Sequence, residues 1–149
     1  MFSQTTEYAL RAVVYLASQG GAAQTTQQIA EATRVPAGYL SKVLQNLSRA
    51  GLVRSQRGLH GGFTLSRPAD ELTVLDVVRA VGELRRIRNC PLGIKGHVNL
   101  CPLHRRLDQA IALVEDALKR STIAELLAEP ERGRGIPMPL CPWPEDPEK

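Results

Sequence analysis

Residues 24–65, QTTQQIAEATRVPAGYLSKVLQNLSRAGLVRSQRGLHGGFTL, constrain this chain more than any other stretch. They hold a short helical pattern, a turn, a second helical pattern and a basic hairpin closed by glycines. Thr25 or Thr26 can cap the first helix, whose packing face is Ile29, Ala30 and Ala32. Arg34-Val35-Pro36 supplies the turn, because the residue before a proline is driven out of the helical region. Pro36 suits the first turn of the next helix, which runs to about Ala50 with Leu40, Val43, Leu44 and Leu47 inward. Gly51 ends it. Strands are predicted over 52–56 and 62–66, with Arg57-Gly58-Leu59-His60-Gly61 as the loop between them. This order outlines a winged helix-turn-helix, a module shaped to lie on duplex DNA.

The flanking segments are helical. Tyr8, Ala9, Leu10, Ala12, Val13, Leu16 and Ala17 predict a helix over 4–18, stopped by Gly20 and Gly21. Thr73 with Asp76 resembles a capping box and should start a helix reaching about residue 80. Residues 84–100 show no period and read as a loop. A long helix is expected over 102–120, with Leu103, Leu107, Ala110, Ile111, Val114, Ala117 and Leu118 in one stripe. Thr122 with Glu125 is a second capping box, for a short helix over 123–128. From Pro130 onward lie six of the ten prolines, and the composition predicts a disordered tail over 129–149.

Charge and chemistry narrow the class of function. The net charge of +4 sits in residues 1–70, where seven Lys/Arg face three acids, so the excess lies on the DNA-binding half. No run of eighteen apolar residues and no leader pattern is visible, so a cytoplasmic chain with no membrane span is expected. The sequence has no Ser-His-Asp order, phosphate loop or dinucleotide fingerprint, which argues against an enzyme. Three cysteines, Cys90, Cys101 and Cys141, fit metal ligation, redox sensing or plain thiols better than structural disulfides. Cys141, between prolines in the tail, reads as incidental.

The candidate DNA contacts follow from the outline. On the recognition helix, Ala37 and Gly38 allow close approach to a groove; Tyr39, Ser41, Lys42, Gln45 and Asn46 face outward. Ser41, Gln45 and Asn46 can bond base edges or phosphates, and Lys42 can neutralise a phosphate. Thr26 and Arg54 flank this surface. In the wing, Arg57 can enter a minor groove, while Gly58, Gly61 and Gly62 let the backbone come near phosphates and His60 suits a phosphate or solvent contact.

Thr6-Glu7-Tyr8-Ala9-Leu10-Arg11-Ala12, Leu40-Ser41-Lys42-Val43-Leu44, Leu47 through Val53, and Arg57-Gly58 with Gly61-Gly62-Phe63 resemble the Rrf family of bacterial winged-helix regulators (IscR/NsrR-type). The resemblance runs from about residue 1 to 127. It implies a mainly α fold with a small β-wing, in which a winged helix-turn-helix over 1–82 is followed by a sensor loop over 83–101 and a dimerisation helix with a C-terminal helix over 102–128. It also implies a homodimeric transcription regulator, a repressor, on a double-stranded DNA operator.

Many members of that family hold an iron–sulfur cluster, of which 2Fe-2S is the expected type, through cysteines of the loop before the long helix. Here Cys101 and His104 match family ligand positions, and Glu7 matches a position where some members supply a carboxylate from the partner subunit. Between Cys90 and Cys101 the segment PLGIKGHVNL holds no cysteine. The implied ligand set is Cys90, Cys101, His104 and Glu7, with His97 as a substitute. Chemically, Cys101 and His104 stand three apart at a helix start, on one face, where a thiolate is favoured. Asp108, one turn on, is expected to orient the imidazole. A cluster-free thiol switch between Cys90 and Cys101, zinc or ferrous iron, a loop that senses nothing, and a winged-helix protein-interaction module remain alternatives.

Overall fold

The computed structural model describes residues 2–94, 96 and 99–129. His97, Cys141 and the tail over 130–149 lie outside the described residues. Among the described residues, six helices and one hairpin follow in the order α1 (Gln4–Ser18), α2 (Thr26–Thr33), α3 (Ala37–Arg49), β1 (Val53–Gln56), β2 (Gly62–Leu65), α4 (Val74–Val81), α5 (Pro102–Arg120) and α6 (Ile123–Ala128).

Local chemistry sets most of the boundaries. Thr25, not Thr26, is the N-cap of α2: its side chain accepts from the Gln28 N–H, and the Gln28 side chain returns to the Thr25 N–H. Such a cap stabilises a helix by about 1 kcal/mol. The boxes Thr73/Asp76 and Thr122/Glu125 start α4 and α6 in the same way. Pro36 sits at the N-cap of α3, just outside the first turn. Arg34 adopts a left-handed conformation between α2 and α3, which gives the turn its angle.

The core lies where α1, α2, α3 and α4 meet. Val13, Ile29, Leu40, Leu44, Leu47 and Val77 are fully buried there. One expectation fails: Ala32 is exposed, and Thr33 is buried in its place. Thr33 satisfies its hydroxyl by donating to the Ile29 carbonyl, so a polar residue closes the apolar face of α2 without leaving an unpaired group.

The hairpin is antiparallel, with Val53 opposite Leu65 and Gln56 opposite Gly62. Its other edge is held by Gln24, which exchanges two backbone hydrogen bonds with Phe63. The wing is thereby fixed to the segment that leads into α2. At the far end, Thr73 pairs with Thr122, and the Ile123 side chain enters the core. The chain thus leaves the body after α4 and returns to it at α6. Between them α5 makes its main contact with α4, and none of its residues is buried.

Candidate nucleic-acid interface and thiol–imidazole cluster

The winged half presents the expected residues on the surface. Gly38, Ser41, Lys42 and Gln45 are exposed on α3, opposite its buried leucines, while Asn46 is half-buried. Thr26, in the first turn of α2, is half-buried. Tyr39 is exposed but turned toward α1: its hydroxyl lies 3.1 Å from Thr5 Oγ1, and its ring meets Tyr8 edge-on at 5.6 Å. The head of the recognition helix is therefore seated on the head of α1.

Arg54, Arg57, Gly58 and His60 are exposed along the wing. Arg54 Nε donates to Thr64 Oγ1 across the hairpin at 3.2 Å. Two glycines are required by packing. A Cβ on Gly61 would stand 2.7 Å from the Gln56 carbonyl oxygen. One on Gly62, at φ +146°, would stand 2.5 Å from the Gln24 backbone. These residues shape the wing, and its tip presents Arg57 and His60 outward.

The second constellation stands at the head of α5. Cys101 is the N-cap residue and Pro102 follows it, which leaves the Cys101 thiol at the positive end of the helix. Its Sγ lies 3.1 Å from His104 Nδ1, and Cys90 Sγ approaches the same nitrogen at 3.8 Å. All three donor atoms fall within 4.8 Å of one another, and all three residues are half-buried. A pair of thiols with an imidazole is a soft donor set, suited to iron–sulfur, zinc or ferrous iron and not to magnesium or calcium.

Asp108 does not orient that imidazole. Arg86 grips its carboxylate through Nε at 2.7 Å and Nη2 at 2.6 Å, and the Ile87 N–H donates to it at 2.8 Å. The Arg86 hydrogen bonds, followed by the Ile87 N–H, hold the Asp108 carboxyl below its ordinary value. Arg86 also reaches Glu115, which pairs with Arg79 of α4. These contacts fasten the start of the loop to α5 and so position Cys90 over Cys101 and His104.

Glu7 lies on α1, exposed and paired with Arg11 one turn on. Among the described residues it is not part of the thiol–imidazole group. Arg11 also donates to the Thr33 carbonyl at the end of α2. This link, and the Tyr8–Tyr39 contact beside it, was missed at the level of sequence. The spacing of Glu7 and Arg11 by four was the available signal.

Comparison with known proteins places the chain. The family Rrf2, described as "Iron-dependent Transcriptional regulator", matches residues 2–129. A protein of Aquifex aeolicus (strain VF5), provisionally described as an HTH-type transcriptional regulator, is 31% identical over 85% of this chain and 91% of its own length. The structure of CymR, the global cysteine regulator of B. subtilis, superposes with a TM-score of 0.70 at 26% identity, covering 86% of this chain and 96% of that one. T. potens IscR shares the fold, with a TM-score of 0.73 at 24% identity over 90% of each chain. Among the described residues, no helix is long and apolar enough to cross a membrane. The chain belongs to the Rrf2 family of DNA-binding transcription regulators and is not an enzyme.

Proposed function

We propose that this regulator acts as a homodimeric repressor on a near-palindromic operator, in the cytoplasm, and that an iron–sulfur cluster at Cys90, Cys101 and His104 gates its affinity. The observation that carries the reading is the convergence of three soft donors at the head of a helix that has no buried residue of its own. Leu103, Leu107 and Leu113 are 61%, 47% and 73% exposed along α5. An apolar surface of that kind fits a second copy of the same helix.

On DNA, the exposed side of α3 takes the major groove and the wing takes the adjacent minor groove. Gly38 allows the close approach; Tyr39, Ser41, Lys42 and Gln45 make base and phosphate contacts, with Thr26 at the entry of α2. Arg54, Arg57, Gly58, His60, Gly61 and Gly62 serve the wing.

The fit to a cluster rests on the donor chemistry. Iron–sulfur centres accept imidazole beside thiolate, and the three residues here leave a fourth position for a carboxylate. Glu7 of the partner subunit suits that position, because its carboxylate is exposed and, among the described residues, held by Arg11 alone. When bound, a cluster supplies a redox-sensitive crosslink between the loop and α5. What the chain contributes is the coupling. Drawing Glu7 away leaves Arg11 with the Thr33 carbonyl and the face of the Tyr8 ring, and that carbonyl closes α2 beside the turn into α3. The two states of Glu7 thus bias the setting of the recognition helix.

The test is spectroscopic. Protein purified without oxygen should be coloured, and Cys101→Ala should remove the visible absorption. Protein that is colourless under those conditions would refute the cluster. The second reading is a metal-free thiol switch, favoured by two cysteine sulfurs within 4.8 Å and no third cysteine between them in sequence. It predicts a Cys90–Cys101 disulfide by mass spectrometry after mild oxidation, with reversible loss of operator binding.

A further inference from the structure

The tip of the wing carries a side chain that the contacts above leave unused. Leu59 is 96% exposed. It occupies the first corner of a turn closed by the Gly61 N–H on the Gly58 carbonyl at 3.0 Å. A single exposed leucine is ordinary on a protein surface. Here its setting is specific. The hairpin is pinned on one side by the strand pairing and on the other by Gln24, and Gly62 is pressed against the Gln24 backbone. The tip therefore cannot fold back to cover the leucine.

The rest of the tip is Arg57, Gly58, His60 and Gly61, with Arg54 farther down the strand. One apolar corner between cationic and polar residues makes a poor protein-docking patch, which needs contiguous apolar area. It suits a narrow, negative groove whose floor is a stack of flat apolar bases.

We propose that Leu59 is a wedge that enters a base-pair step from the minor groove and bends the operator. Arg57 draws the tip into the groove, the leucine separates two stacked pairs, and the stiff hairpin transmits the displacement to the duplex. A flexible pyrimidine–purine step beneath each wing would then be favoured without any hydrogen bond to its bases. Leu59 thereby becomes a residue that sets sequence preference. The inference rests on the placement of the wing in the minor groove under the proposed function.

The probe is a duplex selected from a random pool by the wild-type protein, placed at circularly permuted positions so that bending is read from gel mobility. Wild type should bend it. Leu59→Ser should keep the thermal transition, bind about tenfold more weakly and lose most of the bend, while Leu59→Met restores both. Replacing the step under the wing by a stiff A-tract should erase the difference between wild type and Leu59→Ser. An unchanged bend in Leu59→Ser overturns the wedge, whatever its affinity. Arg57→Ala separates the two ideas. If it weakens binding while Leu59→Ser has no effect, the wedge alone fails. If neither substitution has an effect, the wing does not sit in the groove.

Discussion

The body formed by α1–α4, the hairpin and α6 and the arm formed by α5 with the loop before it are built on different principles. The body closes on itself. Val13, Ile29, Leu40, Leu44 and Leu47 exclude water completely, and its polar exceptions, Thr6, Gln24, Thr33 and Thr64, are hydrogen-bonded. Among the described residues the arm buries nothing fully; Leu118 rests against the core, and charge fastens the remainder: Arg86 on Asp108 and Glu115, and Arg79 on Glu115. A region that stabilises itself can hold a fixed DNA-reading surface. A region that leaves Leu103, Leu107 and Leu113 exposed beside three soft donors is, under the proposed function, the part that reports on a bound group. Under the proposed function the architecture separates reading from sensing, and the Glu7–Arg11–Thr33 contact, within the body, is where a shared cluster would couple the two.

The comparison can be broken most forcefully in the body. Leu44→Ala should cost roughly 2–5 kcal/mol, because a fully buried leucine leaves a cavity in the core. Denaturant titration should show a large fall in the midpoint, and a shift within error would mean the body is not self-sufficient. In the arm the expected pattern is reversed. Leu107→Asp should leave the unfolding of the body nearly unchanged but dissociate the proposed dimer in sedimentation. Operator affinity should then fall about a hundredfold, since one half-site no longer tethers the other. A monomeric wild type would remove the basis of that prediction.

Much of this division was legible in the sequence. Leu40, Val43, Leu44 and Leu47 recur at helical spacing, so the inward face of α3 was readable directly. Thr73/Asp76 and Thr122/Glu125 marked helix starts because capping is local chemistry between residues three apart. Ala32 was misread because apolarity alone ranked it above Thr33, whose hydroxyl finds a carbonyl within its own helix. The partner of Asp108 was not readable. Arg86 lies 22 residues earlier, across an aperiodic loop, and several other arginines could have served. The seating of Tyr39 on Tyr8 and Thr5 was hidden for the same reason, since it depends on how two helices cross. The thiol–imidazole group was half visible: Cys101 and His104 follow from spacing, whereas the approach of Cys90 depends on the loop clamp.

Two smaller effects sharpen the contrast. Arg57→Ala should weaken operator binding about tenfold and lower the salt slope by about one, with no change in unfolding. Competition titrations across salt concentrations check this, and an unchanged slope would remove Arg57 from the phosphate-facing surface. Asp108→Ala should act on the loop alone, with faster hydrogen exchange at the Ile87 amide, which now donates to that carboxylate. The pH dependence has a definite sign. Because Arg86 and the Ile87 N–H lower the Asp108 value, the clamp is intact above the unfolded carboxyl value of about 3.9 and is lost as pH falls through the lower folded value. Protection of the Ile87 amide, corrected for intrinsic exchange, should therefore be flat from neutral pH to about 5 and fail only in stronger acid. Loss between pH 7 and 6 would exclude Asp108 as its source.

The separation of reading from sensing stands or falls on what the head of α5 holds. Iron and acid-labile sulfide, quantified per protomer in full-length protein purified without oxygen, test it most directly. Equimolar iron and sulfide in the wild type, absent from Cys101→Ala, is the predicted result. Wild-type protein free of both would contradict the cluster and return Cys90 and Cys101 to thiol chemistry.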